Sequence, residues 1–431
     1  MLLCASLRPA FAISEEGYKQ LHVFSKVLHL VEENYVDQID DQKVVQGAVR
    51  GMLRALDPHS AYMTADVYRE LKVDTSGRFD GVGMEVTLRD GLITVIAPIQ
   101  GSPAEAAGIQ PGDQIIRIDG TSTENMDLGK AVNLMRGRRG TKVLLTIRRA
   151  GVKQPMEIAV TREKINVPSV KSEEIDSRYG YIAITSFQED TADSLGKALK
   201  KFKKQDALHG LIIDMRRNPG GLLEEAVAVS DAILKSGVIV TTAQRGKEID
   251  RYEATDNGDE PDCPVIVLVD GGSASASEIV AGALQDNRAA TLVGTQTFGK
   301  GSVQTVFELG DGSAVKITIA RYFTPNGTSI QAYGITPDIE VQAKVPEVTE
   351  AATKESEKEH KRLREADLGG HLEGSQSQKP PRPQQTLTVK KLIESKIVEK
   401  DAPAARDGTI KDYQKQVAID FLKYLDTPAQ Q

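Results

Sequence analysis

One stretch limits the folds open to this chain more than any other. Five apolar residues, Val265-Ile-Val-Leu-Val269, lead into Asp270-Gly-Gly-Ser-Ala-Ser-Ala-Ser277, and then into Glu278-Ile-Val-Ala-Gly-Ala-Leu-Gln285. A short run that is apolar at every position marks a buried strand, and the run after it has helical texture. Only small residues lie between, so the chain passes from strand to helix through a tight turn. Such a turn lifts one hydroxyl out of the sheet and points backbone N–H groups at whatever sits above it. Downstream, Phe298-Gly-Lys-Gly-Ser-Val-Gln304 supplies a lysine between two glycines. A serine at such a turn plus a lysine shielded by small residues points to nucleophilic catalysis without histidine.

The 431 residues allow two to four domains, and 40% hydrophobic with 27% charged residues is an ordinary soluble composition. A net charge of −7, with no basic stripe carrying aromatics, argues against nucleic acid as a partner. No apolar run of about 18 residues is present, so no membrane span is expected. The two cysteines, Cys4 and Cys263, cannot form a metal cluster, and no metal or cofactor is expected. Cys263, just before an apolar strand, reads as a structural thiol. Met1 to Ala12 resembles the tail of a signal peptide, with Ala10-Phe11-Ala12 as a small-x-small cleavage pattern, although the charged n-region is missing. The expectation is an exported, periplasmic protein. A lipid on Cys4, which would associate it with a membrane, is disfavoured because Leu3 is large.

Glu15 to Arg54 reads as two helices, with Leu21, Phe24, Leu28 and Val31 at helical spacing in the first. Asp57-Pro58 ends the second. From about 75 to 165 the texture changes to short strands and glycine turns. Gly91 to Ile96 is a strand, Ser102 to Gly108 a short helix with proline at its start, Asp127 to Met135 an amphipathic helix and Thr141 to Arg148 a closing strand. This order, with Pro103-Ala-Glu-Ala-Ala-Gly-Ile-Gln-Pro-Gly-Asp113, resembles a PDZ domain. The resemblance implies that Gly81, Val82, Gly83 and Met84 present N–H groups to a peptide carboxylate. The strand after them would take the peptide as an added strand, with Leu128, Val132 and Met135 giving an apolar preference.

Residues 168–342, together with 56–74, read as an α/β core with helices covering a mixed sheet. Gly180 to Phe187, Gly210 to Met215 and Ala290 to Val293 are strands, Asp190 to Lys203 and Leu222 to Ala232 are helices, and Val303 to Phe323 is a hairpin around Gly310-Asp-Gly312. Residues 343–385 are charged, then rich in Pro and Gln, and are expected to be a linker with one solvated helix. In 386–431, Asp412 to Leu425 is amphipathic and expected to pack on the body or on another subunit. The fold class is thus multidomain α/β: a helical region (13–72), a PDZ domain (75–165), the core and a helical C-terminal tail.

A serine hydroxyl needs a base and donors for the oxyanion. His22, His29, His59, His209, His360 and His371 all lie away from the serine turn in sequence, which leaves a spatial Ser–His pair open. His59, beside Asp57-Pro58, reads as a turn hydrogen-bonder. Lysine serves only when neutral, which requires a drop of roughly three units from about 10.4, or about 4 kcal/mol. Burial would supply it. An exposed lysine in a glycine loop is the alternative that the Phe298–Gln304 segment alone leaves open.

The serine block, Gly299-Lys-Gly-Ser-Val-Gln304, Asn218-Pro-Gly-Gly221, Leu56-Asp-Pro-His-Ser60, Gly334-Ile-Thr-Pro-Asp338 and the PDZ-like region together resemble the carboxy-terminal processing, or tail-specific, proteases. The resemblance covers about residues 20 to 345. It implies Ser275 as nucleophile, Lys300 as base and Gln304 as the residue orienting it; on an extended segment 300, 302 and 304 share a face. It places oxyanion donors at the N–H of Ala276 and at Gly220 or Gly221, of which Gly221 is favoured. Ser273 and Ser277 would be turn and cap residues, and Glu278 would help start the helix. The implied activity is endoproteolysis of unfolded or tail-marked proteins, with the PDZ domain binding free C-termini and gating the site. Implied partners are such substrates, a second copy of the chain in a homodimer or higher homo-oligomer, and an activating adaptor protein. A non-catalytic PDZ scaffold on a protease fold, or an acyl-transfer or lipid-binding relative, are the alternatives.

Overall fold

The computed structural model describes residues 14–203, 208–343, 363–374, 387–388, 392, 395 and 412–426. The expected signal-peptide remnant and most of the expected linker lie outside the described residues. Two helices open the chain, Glu15–Asn34 and Asp41–Arg54, started by Ser14 and Asp40, whose side chains accept from Gly17 N–H (3.1 Å) and Lys43 N–H (3.2 Å). The first buries no side chain, and Tyr18, Leu21, Phe24, Val27 and Leu30 stay about half exposed along it.

The inserted domain hangs on a two-stranded stalk, Arg78–Gly81 paired antiparallel with Glu163–Asn166. Beyond it, strands Met84–Arg89, Leu92–Pro98, Gln114–Ile118, Lys142–Arg148 and Met156–Thr161 follow one another across an antiparallel sheet. Alternation along Lys142–Arg148 sends Val143, Leu145 and Ile147 inward, where they pack with Ile93, Ile115, Ile118 and Ala131 of the helix Leu128–Met135. Met84–Arg89 is an edge strand with one neighbour.

The core holds two sheets rather than one. In the first, Tyr179–Ile184, Gly210–Asp214, Val265–Val269, Thr291–Gly294 and Ile339–Glu340 run parallel, with Val170–Ile175 antiparallel at one edge. All five residues of Val265–Val269 are buried because both faces are covered. Val267 and Val269 face Ile279, Val280 and Leu284 of the helix Ala276–Asp286. Ile266 and Leu268 face the opposite way, onto Val417, Phe421 and Leu422 of the helix Tyr413–Leu425. The C-terminal helix therefore packs on the body of its own chain, with Leu422 filling the space where a Cβ on Gly210 would stand. The second sheet joins Ala61–Met63, Ala314–Phe323, Gly237–Gln244 and Lys247–Ala254, with Ser302–Glu308 also paired to Ala314–Phe323. The Gly237–Ala254 hairpin has no counterpart in the sequence reading.

The expected linker needs a correction over 363–374. Glu365, in the short turn Glu365–Asp367, is fully buried against the core, and its N–H donates to Phe298 O at 3.2 Å. Charge composition alone reads as solvated chain; here the charge is buried because it meets partners.

Candidate active site

The strand Val265–Val269 delivers the chain to Ser275, which caps the helix Ala276–Asp286 with φ 53° and ψ −111°. That left-handed backbone is costly for a residue with a Cβ and persists only where the surroundings hold it. They do. Ser273 Oγ donates to Met215 O (2.8 Å) and accepts from Asp270 N–H (2.9 Å), while Ser277 Oγ donates to Asn218 O (2.9 Å). Both flanking hydroxyls are thus spent on structure, but the helix cap is Ser275 itself, and Ser277, expected as a cap, is the second residue of the helix. The Ser275 side chain makes no cap hydrogen bond of its own, and it sits at the N-terminal end of a helix whose positive pole faces it.

The turn Asn218–Gly221 runs directly against this elbow. Asn218 O accepts from Ala274 N–H at 3.0 Å, and a Cβ on Gly220 would stand 2.9 Å from Ala276 N and 2.7 Å from Ala274 O. The Gly220 N–H is committed to Asn218 Oδ1 (2.9 Å). The bridge to Phe187 uses Gly220 O and Leu222 N–H, which leaves the Gly221 N–H outside it. Ala276 is the first residue of its helix, so its N–H has no intrahelical acceptor.

Glu278 is the residue whose importance the sequence reading missed. It does reach back to the helix start, accepting Ser275 N–H at 2.9 Å, but the same carboxylate also accepts Lys300 N–H (2.9 Å), Gly299 N–H (2.7 Å) and Thr297 Oγ1 (2.5 Å). It is fully buried; burial pushes its carboxyl up to about 7, against the pull of those donors.

Lys300 is partly buried rather than an exposed loop lysine. Burial drives its ammonium below the usual lysine range, and the charge of Lys316 adds to this, while Glu365, Glu278 and Asp57 act in the opposite direction. No hydrogen bond joins its amine to Ser275 or Gln304. The shared face expected for 300, 302 and 304 does not bring Lys300 and Gln304 into contact. The strand begins only at Ser302, and a register irregularity lies between Val303 and Gln304. Gln304 Nε2 instead donates to Ser302 Oγ (2.9 Å) and Ser302 O (3.1 Å).

Three of the described histidines are engaged elsewhere, His59 Nε2 with Glu365 (2.8 Å), His209 Nδ1 with Asp426 (2.9 Å) and His371 Nδ1 with Leu368 O (2.9 Å), while His22 and His29 lie exposed on the helix Glu15–Asn34. None bonds to Ser275. In the inserted domain, Val82, Gly83, Met84, Val132 and Met135 line one groove, which is walled on its far side by Val170 and Lys171 of the core. Gly81 instead ends the stalk strand, and Leu128 packs into the domain core.

A serine on a strained elbow and a partly buried lysine, with their backbone N–H groups on the same carboxylate, suit a serine-type peptidase. Residues 178–341 match peptidase family S41, residues 94–149 a PDZ domain and residues 7–67 the activating protease CtpB N-terminal domain. The chain is 45% identical over 366 residues to the carboxy-terminal-processing protease of Bartonella bacilliformis, covering 84% of this chain and 82% of the relative. It is 38% identical over 346 residues to the carboxy-terminal processing protease CtpA of Bacillus subtilis, covering 80% and 73%. Among solved structures, a photosystem II D1 C-terminal processing protease is 30% identical, with 77% of this chain and 94% of that one covered and a TM-score of 0.46. The chain belongs to the carboxy-terminal processing protease family.

Proposed function

We propose that this chain is an endopeptidase for unfolded or tail-marked proteins, with Ser275 as nucleophile, neutral Lys300 as general base and Gln304 orienting the lysine. The observation that carries the reading is that Glu278 Oε2 accepts the N–H groups of both Ser275 and Lys300, anchoring nucleophile and base to one buried atom. Ser275 Oγ attacks the scissile carbonyl carbon while its proton passes to Lys300 Nζ. The developing oxyanion is met by the N–H groups of Ala276 and Gly221; Gly220, whose N–H is already taken, shapes the turn. The lysine ammonium then protonates the leaving amine, and water repeats the sequence to release the acyl group. The depressed lysine supports its role as base. Because its amine meets neither partner here, reorientation of Lys300 and Gln304 completes the site.

The edge strand Met84–Arg89 and its groove suit an extended peptide with a free C-terminus, its carboxylate at Val82–Met84 and its last side chain against Val132 and Met135. Since Val170 and Lys171 wall the same groove, an occupant would touch both domains; we assign the gating to that contact. The half-exposed apolar residues of Glu15–Asn34 support a homo-oligomer. An activating adaptor protein, and export to the periplasm on the pattern of Met1 to Ala12, complete the reading; cell fractionation tests the latter. The deciding experiment incubates an unfolded substrate with the protein, Ser275→Ala and Lys300→Ala. Both substitutions should abolish cleavage, and normal cleavage by both would overturn the reading.

A further inference from the structure

We propose that Glu365, carried back onto the core by residues 363–374, is a positioning residue that fixes the backbone of the Lys300 loop, from which the lysine side chain reorients to reach its partners. The inference rests on the role of Lys300 given above. Nothing in the Phe298–Gln304 segment itself would fix a loop with glycine on both sides of its lysine. The structure holds it at every step. Phe298 O accepts Glu365 N–H (3.2 Å), Gly299 O accepts Ala332 N–H (2.8 Å) and Gly301 O accepts Tyr322 N–H (2.7 Å). Gly301 N–H donates to Gln331 Oε1 (3.0 Å), and Gln331 Nε2 donates to Glu365 Oε1 (2.8 Å) and to Leu372 O (3.1 Å). Glu365 and Gln331 therefore grip the residues on either side of the two amides that Glu278 holds.

The grip uses a buried charge, which an apolar residue of the same size would not supply to the donors that meet it. Glu365 is fully buried, and His59 Nε2 lies 2.8 Å from each of its oxygens. Burial pushes this carboxyl up, but the bonds from His59 and Gln331, with the nearby charge of Lys300, hold it below the ordinary glutamate range. It is therefore ionised and accepts only, so His59 Nε2 carries the proton. A buried carboxylate is costly unless partnered, and its charge reaches the lysine it steadies. The groups facing Lys300 are Lys316 from the strand Ala314–Phe323, Glu278 from the helix Ala276–Asp286, Asp57 from the turn after Asp41–Arg54, and Glu365. Of these only Lys316 disfavours the ammonium. Removing the Glu365 charge should therefore make the base neutral at lower pH.

The test measures kcat and KM of the full chain on an unfolded substrate across pH for Glu365→Gln and Glu365→Ala. Leu363→Ala, at a position 67% exposed in the same segment, is the control. Glu365→Ala should lower kcat roughly 100-fold with KM little changed, the cost of a misplaced base. Glu365→Gln keeps the shape, so it should retain more of the rate and move the acid limb of kcat/KM to lower pH. Leu363→Ala should match the unaltered protein. An acid limb that stays in place in folded Glu365→Gln overturns the inference, whether or not Glu365→Ala folds. Cleavage surviving in Ser275→Ala and Lys300→Ala would instead overturn the protease reading, so the two failures are told apart.

Discussion

Ser275 and Lys300 donate their backbone N–H groups to the same oxygen, Glu278 Oε2, each at 2.9 Å. Elbow and lysine loop, remote in sequence, are thereby held against one buried atom. Replacing Glu278 by Ala leaves buried donors without acceptors at both places. We expect kcat to fall by about 100-fold, as for a nucleophile and base set slightly apart. Stability should drop by about 1–3 kcal/mol for each group left unsatisfied. Steady-state kinetics with denaturant unfolding checks both; an unchanged kcat would separate Glu278 from the chemistry.

Lys316 repels the Lys300 ammonium and so helps make it a base. In Lys316→Gln that repulsion is gone, the amine holds its proton to higher pH, and the acid limb of kcat/KM should move upward. The direction is opposite to that expected for Glu365→Gln. A pair of pH–rate profiles measured on one substrate decides it, and shifts of the same sign in both would contradict the electrostatic account.

Gly220 has φ 100°, and a Cβ there would press on Ala274 O and Ala276 N, beside the proposed oxyanion site. Gly220→Ala should lower kcat by roughly 100-fold or more, as removal of an oxyanion donor does, with a smaller change in KM. Retention of full kcat in this variant would mean that the turn does not border the reacting oxygen.

Gly83 has φ 77°, and its Cβ would lie 2.4 Å from Ser102 Cβ. Gly83→Ala should deform the loop at the groove. Cleavage of substrates with an apolar C-terminal tail should suffer far more than cleavage of a short unstructured reporter. Equal losses on the two substrates would argue against gating through the PDZ domain.

Phe24 is 43% exposed on a helix that buries none of its side chains. If that face joins two copies, Phe24→Asp should halve the mass seen by light scattering at micromolar protein while leaving the circular dichroism unchanged. An identical mass before and after the change would place the contact elsewhere.

Periodicity and composition were enough to read Val265–Val269 as a buried strand, the serines as its turn, and the hairpin of Ser302–Glu308 with Ala314–Phe323, because each follows from local apolar pattern and turn chemistry. The Gly237–Ala254 hairpin escaped notice: Lys247–Ala254 is charged and largely exposed, and its pairing comes from the neighbouring strand. Strict alternation puts Lys300 and Gln304 on a common face, an alternation that the irregular register between Val303 and Gln304 breaks.

Residue order alone determined the buried strand Val265–Val269 and the serine turn, since these need only neighbours along the chain, while the inserted domain was legible through its resemblance to PDZ domains. Tertiary structure decided that Glu278 ties that turn to the lysine loop and that Glu365 and His59 meet beneath it. The partner of a buried carboxylate is whatever donor the packed chain brings within 3 Å or so, and no local pattern encodes that distance.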